Sequence, residues 1–324
     1  MKLTLFLLLT VLVIGTLSFH PDFEEYKTSF NKNYSHEDEP LREKYFLQSL
    51  KRVNEHNSKQ GVTYKRGINH LSDLSSDEYL AMLGHRSHTT QQTEPKKISK
   101  ILNLPTSYDW RTRGAVTPIK DQGQCGSCWA FSTTGVMEGG VFLQTNKLIS
   151  LSEQELVDCD HHQSGCNGGL ESQAMGWVAK YGLDKETDYP YTAKNGKCQK
   201  RLHSYTAKCK NHTQVPKDVE QLMTACVKYG PISIAIDASH ESFQEYQSGV
   251  YYEPNCGNTN DDLDHAVLVV GYGSLNNDDY WIVKNSWSAD WGLDGYIHMK
   301  RSNENNCGVM TDAWYVTGCE VNTK

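Results

Sequence analysis

Apolar positions follow three different rhythms along this chain. Residues 3–14 form an almost unbroken apolar run behind Met1-Lys2, and the small residues Gly15, Thr16 and Ser18 follow it. That run is nearer a signal-peptide core than a bilayer span, and predicts cleavage near Ser18, with a retained signal anchor as the alternative. Residues 41–57 then place apolar side chains at helical spacing with no Gly or Pro, which predicts a long helix. Residues 86–100 are polar, with Thr, Gln, Ser and one Pro, and read as an exposed, cleavable linker.

Beyond residue 104 the texture changes again. Residues 128–180 read mainly as helices, with a Gly-rich loop at 165–169. From Pro231 onward β-branched runs take over at 232–236, 266–273 and 280–284. Helices first and strands later predict an α+β molecule with two lobes. The predicted organisation is residues 1–18 as signal peptide, 19–103 as a helical prosegment with linker, and 104–324 as the mature body. The helical lobe of that body spans about 104–214 and the β lobe about 215–324, with the termini crossing between them.

Charge and cysteine usage sharpen those boundaries. The chain has 324 residues, 38% hydrophobic and 10% aromatic, so a sizeable core is expected. A net charge of −7 argues against nucleic-acid binding. A mean hydropathy of −0.61 argues against a polytopic membrane protein. Residues 19–103 contain no cysteine and carry 13 Lys/Arg against 12 Asp/Glu. Residues 104–324 hold all ten cysteines and carry 18 Lys/Arg against 27 Asp/Glu. The two parts are weakly complementary, and acid should erode that complementarity by neutralising carboxylates. Ten cysteines on a secretory route imply disulfides. If one is a free nucleophile, a second is left unpaired within the chain.

The chemistry concentrates around Gln122-Gly123-Gln124-Cys125-Gly126-Ser127-Cys128-Trp129. Glycines give way there to a helix-forming run, so Cys128 falls near a helix N-terminus, where free N–H groups and the helix dipole favour a thiolate. The Cys-x-x-Cys spacing also admits a redox or zinc reading. No strand precedes it as a thioredoxin-like site needs, and no second such pair follows as a zinc site needs. Adjacent His161 and His162 lie on a polar loop and read as solvated surface; no metal and no cofactor is expected.

A nucleophilic thiol needs a base. His265 opens one apolar strand and Asn285 closes the next, across a polar turn at 274–279. The midpoint of 265 and 285 falls inside that turn, so a hairpin in this register places the two side by side. The Asn carboxamide can then fix the tautomer of the imidazole, with Trp287 and Trp291 shielding the bond from water.

These motifs resemble the papain/cathepsin family, whose signature surrounds its nucleophile with Cys-Gly-Ser-Cys-Trp and places His and Asn far downstream. Asn285-Ser286-Trp287 and Cys166-Asn167-Gly168-Gly169 extend the resemblance, which lies nearest the cathepsin L branch. It implies a two-lobed papain-like fold, cysteine endopeptidase activity through Cys128, His265 and Asn285, and Gln122 as an oxyanion-hole donor. It also implies disulfides Cys125–Cys166, Cys159–Cys198 and Cys256–Cys307. Cys209–Cys226 is a further candidate, which would leave Cys319 free.

The segment before residue 104 resembles the family's inhibitory prodomain. Arg42, Phe46, Val53 and Asn57 keep the spacing of its long-helix motif, while Asp38, Ser49 and Val53 replace the usual Glu, Asn and Ile. The run 67–73 keeps a second motif with Leu71 in place of Phe. The chain's own prodomain, cystatin-type inhibitors, and protein and peptide substrates are therefore the implied partners of a monomer.

By the same resemblance the substrate cleft runs past Gly168, Gly169, Asp264 and Trp287. The pocket for the residue preceding the scissile one (P2) is lined by Leu170, Glu171, Ala235, Leu263, Ala266 and Asp312. An acid at Asp312, where a small apolar residue is common, predicts a pocket accepting Arg or Lys as well as apolar side chains. No long insertion separates Gly169 from Cys198, which predicts a cleft open at both ends and endopeptidase action. Asn33-Tyr34-Ser35 and Asn211-His212-Thr213 are candidate glycosylation sites. A catalytically silent binding relative is the competing class, and the intact Cys128, His265, Asn285 and Gln122 speak against it.

Overall fold

The computed structural model describes residues 22–87, 95, 97–199 and 205–322. The expected signal peptide and part of the expected linker lie outside these residues. The prosegment is built on helices α1 (Phe23–Ser29), α2 (Glu39–Asn57) and α3 (Ser76–Ala81), with strand β1 (Tyr64–Arg66) between the last two. Helix α2 opens with Pro in its first turn and buries Phe46, Ser49, Val53 and His56 as one stripe. Phe46 packs on Tyr26 and Phe23, with ring centroids 4.7 and 5.6 Å apart.

Polar side chains lock these helices together. Asp73, nearly fully buried, accepts bonds from Tyr26 (2.7 Å), Tyr34 (2.6 Å) and Lys32 (2.9 Å). Arg42 grips Glu78 with two parallel bonds of 2.7 and 2.6 Å. Asn57 donates to Arg66 O and accepts from Arg66 N, fixing the end of α2 to β1.

The mature body holds β2 (Tyr108–Asp109), α4 (Cys128–Thr145), α5 (Glu153–Cys159), α6 (Glu171–Tyr181), β3 (Ala207–Gln214), α7 (Val219–Tyr229), β4 (Ile232–Ile236), α8 (Glu241–Gln244), β5 (Tyr246–Tyr251), β6 (His265–Leu275), β7 (Asp278–Lys284), β8 (Tyr296–Lys300) and β9 (Asp312–Val321). The sheet order is β1-β5-β8-β7-β6-β4-β9-β3, with β2 on β6; among the described strands, only β5 and β8 pair in parallel. The prosegment thus adds its own strand to the edge of the mature sheet, through β1 on β5.

Two cores separate the lobes. One, around α4, α5 and α6, gathers Trp129, Met137, Leu156, Met175 and Val178. The other, around β4–β9, gathers Ile234, Phe243, Trp281, Trp287 and Trp291 and extends to Tyr64, Leu71, Tyr79 and Met82 of the prosegment. Strand β3 falls inside the range expected for the helical lobe yet pairs with β9. Ser132 on α4 bonds Ser233 Oγ and Val267 O, both at 2.7 Å, and pins the helical lobe to the sheet. Among the described residues no helix is long and apolar enough to cross a membrane.

Three disulfides, Cys125–Cys166, Cys159–Cys198 and Cys256–Cys307, have the expected pairing. The fourth does not: Cys209 pairs with Cys319, and Cys226 is the free cysteine besides Cys128. Strand register decides this, because Cys209 on β3 faces Cys319 on β9 directly, whereas Cys226 is buried on α7.

The expected linker is also less exposed than its composition suggests. Ile98 is buried against α7, where its N–H donates to Gln221 Oε1 at 2.6 Å.

Candidate active site

Cys128 is the first residue of α4, and its cap residue Ser127 leaves the helix N-terminus without a side-chain bond. The Cys125–Cys166 bridge anchors the preceding loop and excludes a redox disulfide between Cys125 and Cys128. Across the cleft, His265 Nε2 lies 2.8 Å from Asn285 Oδ1. The two are not directly opposite, as midpoint arithmetic predicts. The turn contains only Asn276 and Asn277, both at positive φ, and the pairing slips by one between Val269 and Gly271. His265 and Asn285 therefore meet diagonally, a separation long side chains still bridge.

Trp287 stacks on the His265 ring at 4.6 Å and Trp291 meets Trp287 edge-on at 5.4 Å, so the pair is fully enclosed. Asn285 Oδ1 also accepts the Ser286 N–H. With Nε2 held by Asn285, Nδ1 of His265 has no hydrogen-bond partner and is the nitrogen left for a thiol proton. Gln122 is held from behind, where its Oε1 accepts from Ser286 Oγ and Trp287 Nε1, so its amide points into the cleft.

The prosegment fills this cleft. Met82 O accepts the Gln122 Nε2 bond at 2.8 Å, and the Gly84 N–H points at Cys128 Sγ at 3.2 Å. His85 N donates to Asp264 O, Gly169 N to Gly84 O and Arg86 N to Gly169 O, each at 2.9 Å. Arg86 further donates from Nε and Nη2 to Asn167 O. The sulfur thus faces an amide N–H rather than a carbonyl carbon, and a residue C-terminal to the Met82 carbonyl that accepts from Gln122, not N-terminal to it, enters the neighbouring pocket. That pocket receives His85 among Glu171, Asp264 and Asp312. Met82, Gly84 and His85 escape the sequence reading because nothing local marks a loop that acts by covering a distant cleft.

Covering the cleft changes its electrostatics. Burial pushes the Cys128 thiol up to about 12 and the His265 imidazole down to about 4. The thiolate expected from the helix N-terminus is therefore disfavoured in the precursor, and the two groups are held as neutral thiol and neutral imidazole. Burial also raises Asp264 to about 7, despite a bond from Ala238 N.

Gly168, Gly169, Leu170 and Glu171 form the approach to α6, and a Cβ on Gly169 would sit 2.6 Å from the Trp129 ring. Ala235 faces Ala266 on one side and Asp312 on the other across three adjacent strands. Leu263 is buried. His161 and His162 are exposed, as are Asn33 and Asn211.

A helix-borne cysteine, a carboxamide-steered histidine and a covering prosegment define a cysteine peptidase zymogen. The chain belongs to the papain family of cysteine proteases, which it matches over residues 104–317, with a cathepsin propeptide inhibitor domain (I29) matched over residues 23–79. It is a cathepsin L-like peptidase precursor whose own propeptide is its inhibitor. It is 46% identical to digestive cysteine proteinase 1 of Homarus americanus, covering 92% of this chain and 95% of the relative. It is 42% identical to procathepsin L of Rattus norvegicus, covering 97% and 99%. The structure of digestive procathepsin L 3 from the Tenebrio molitor larval midgut superposes with a TM-score of 0.82 at 38% identity, covering 91% and 97%.

Proposed function

We propose that this chain is the precursor of an endopeptidase in which Cys128 is the nucleophile, His265 the acid–base, Asn285 its orienting partner and Gln122 an oxyanion donor. The observation that carries the reading is the His265–Asn285 bond beneath Trp287, which leaves one imidazole nitrogen for the only unbridged cysteine in the cleft. Once the prosegment leaves, water re-enters and the desolvation that favours the neutral pair relaxes. The proton can then pass from Cys128 to His265.

The thiolate attacks the scissile carbonyl carbon, and the oxygen's developing charge is met by the Gln122 amide and the Cys128 N–H. His265 then gives its proton to the departing amine. Water activated by the same imidazole cleaves the thioester and returns the thiol.

Processing removes residues 1–18 and then 19–103, leaving 104–324. The mature enzyme works as a monomer in an extracellular or acidic-vesicle setting, is open to cystatin-type inhibitors, and can carry a glycan at Asn211, whereas a glycan at Asn33 would belong to the precursor alone. Its P2 pocket takes apolar side chains and, through its acidic floor at Asp312, basic ones. The processed enzyme should be labelled once, at Cys128, by the thiol-directed epoxide E-64, with loss of peptidase activity. Activity that survives stoichiometric labelling, or is retained by Cys128→Ala, refutes the proposal.

A further inference from the structure

Among the described residues, the ion pairs that cross between prosegment and mature body share one polarity. Arg52 meets Glu245 and Glu241, Arg66 meets Glu245, and Lys100 meets Glu220, so each cation belongs to the prosegment. His85 is the most deeply placed of this set. Its Nδ1 lies 3.1 and 2.9 Å from the two carboxylate oxygens of Glu171, and both side chains are almost fully enclosed, at 1% and 2% exposure.

Asp312 closes the far side, its carboxylate within 4.8 Å of the other two groups. Asp264 adds its charge, and His265 is a like group coupled to the ring. Burial opposes a charge on His85, but Glu171 and then Asp312 and Asp264 outweigh it and hold the ring above its ordinary 6.5.

The two pocket acids differ in what they keep when the prosegment departs. Asp312 accepts from Trp314 Nε1 at 2.6 Å and from Gln214 Nε2 at 3.4 Å, both mature-body donors. Among the described residues, the ion-pair partner of Glu171 is His85, which leaves with the prosegment. A buried carboxylate stripped of its cation is costly, and a ligand that restores the charge recovers that cost. Glu171 begins α6 beside Gly169, whose backbone already bonds an extended segment, so a strand lying there places a side chain beside the carboxylate.

We propose that Glu171, rather than Asp312, is the specificity-determining residue of the P2 pocket, selecting a cationic side chain, with His85 as the in-chain cation that occupies its place in the precursor. This assignment rests on the peptidase reading above and moves its acidic-pocket element from Asp312 to Glu171. Arg and Lys satisfy it best, Arg by presenting a planar pair of donors.

The test uses processed wild-type enzyme, titrated with E-64, and dipeptidyl fluorogenic reporters with Arg, citrulline or Phe at P2. Citrulline has almost the shape of Arg without its charge, so this comparison needs no variant. The expected result is that Arg exceeds citrulline in kcat/KM by roughly tenfold or more, the usual worth of a charged hydrogen bond. Glu171→Gln should collapse that ratio towards one, and Asp312→Asn should keep most of the ratio.

Equal Arg and citrulline rates on wild type overturn the proposal even if the Gln variant cannot be produced. A ratio that survives Glu171→Gln but is lost in Asp312→Asn moves specificity to Asp312 and overturns it too. E-64-titratable enzyme that cleaves none of the three reporters refutes the peptidase reading itself. That failure is distinct from a pocket assigned to the wrong acid.

Discussion

Replacing Gly84 by Ala should unseal the nucleophile without touching the mature enzyme. A Cβ built on Gly84 meets Gly126 O at 2.0 Å and its carbonyl carbon at 2.4 Å, far inside van der Waals contact. Gly126 cannot retreat, because its N–H is bonded to Cys166 O and its neighbour Cys125 is bridged to Cys166. The prosegment must therefore move, by about an ångström or more. Three bonds are strained or lost: Gly84 N to Cys128 Sγ, Gly169 N to Gly84 O, and His85 N to Asp264 O.

At about 1 kcal/mol each, the closed state loses roughly 3 kcal/mol. At 1.4 kcal/mol per tenfold, the open fraction rises on the order of a hundredfold. The assay is the rate at which E-64 labels Cys128 in still-unprocessed precursor, followed by intact mass at early times. A labelling rate within about threefold of wild type, with unchanged thermal unfolding, refutes the reasoning.

The pH response of latency should have two limbs. Glu78 lies near 2 in the fold against its ordinary 4.5, first because of Arg42, and Asp73 lies below its ordinary 3.8, its bonds from Tyr34, Lys32 and Tyr26 outweighing burial. Their stabilisation is present above those ordinary values and lost as pH falls towards the folded ones; that of His85 is full below 6.5 and lost as pH rises through its elevated value. Mild acid should thus tighten the His85 contact, and the prosegment should loosen only below about pH 4; Glu78→Gln should flatten the acid limb of thermal unfolding in a Cys128→Ala precursor, and an unaltered limb counts against the assignment. Gln122→Ala should lower kcat by roughly a hundredfold with KM little changed, measured on E-64-titrated enzyme, since it removes one oxyanion donor; a loss confined to KM contradicts that role. Removing the Cys209–Cys319 bridge should cost about 2–4 kcal/mol in denaturant unfolding and Cys226→Ala about 1 kcal/mol; equal costs would deny the pairing.

Much of the site was legible because its chemistry is written locally. Cys128 follows a glycine-bearing loop at a helix start, and the helix α2 stripe of Phe46, Ser49, Val53 and His56 follows from its period. His265 and Asn285 bracket one hairpin, so their meeting was implied, although a register slip makes it diagonal. Composition by itself also separated a cysteine-free basic segment from a bridged acidic body, and the same polarity recurs in the ion pairs between them.

Tertiary structure decided what depends on residues far apart in the chain. Cys209 chose Cys319 over Cys226 because β3 and β9 align them, a fact no spacing along the chain encodes. The charge state of Cys128 turned on burial, since desolvation outweighed the backbone bonds from Ala266 N and Gly84 N that favour a thiolate. The partnership of His85 with Glu171 likewise spans 86 residues and exists only because the prosegment threads the cleft. Short-range propensity and motif chemistry are properties of neighbouring residues and survive in the sequence, whereas desolvation and charge pairing depend on which distant surfaces the fold presses together.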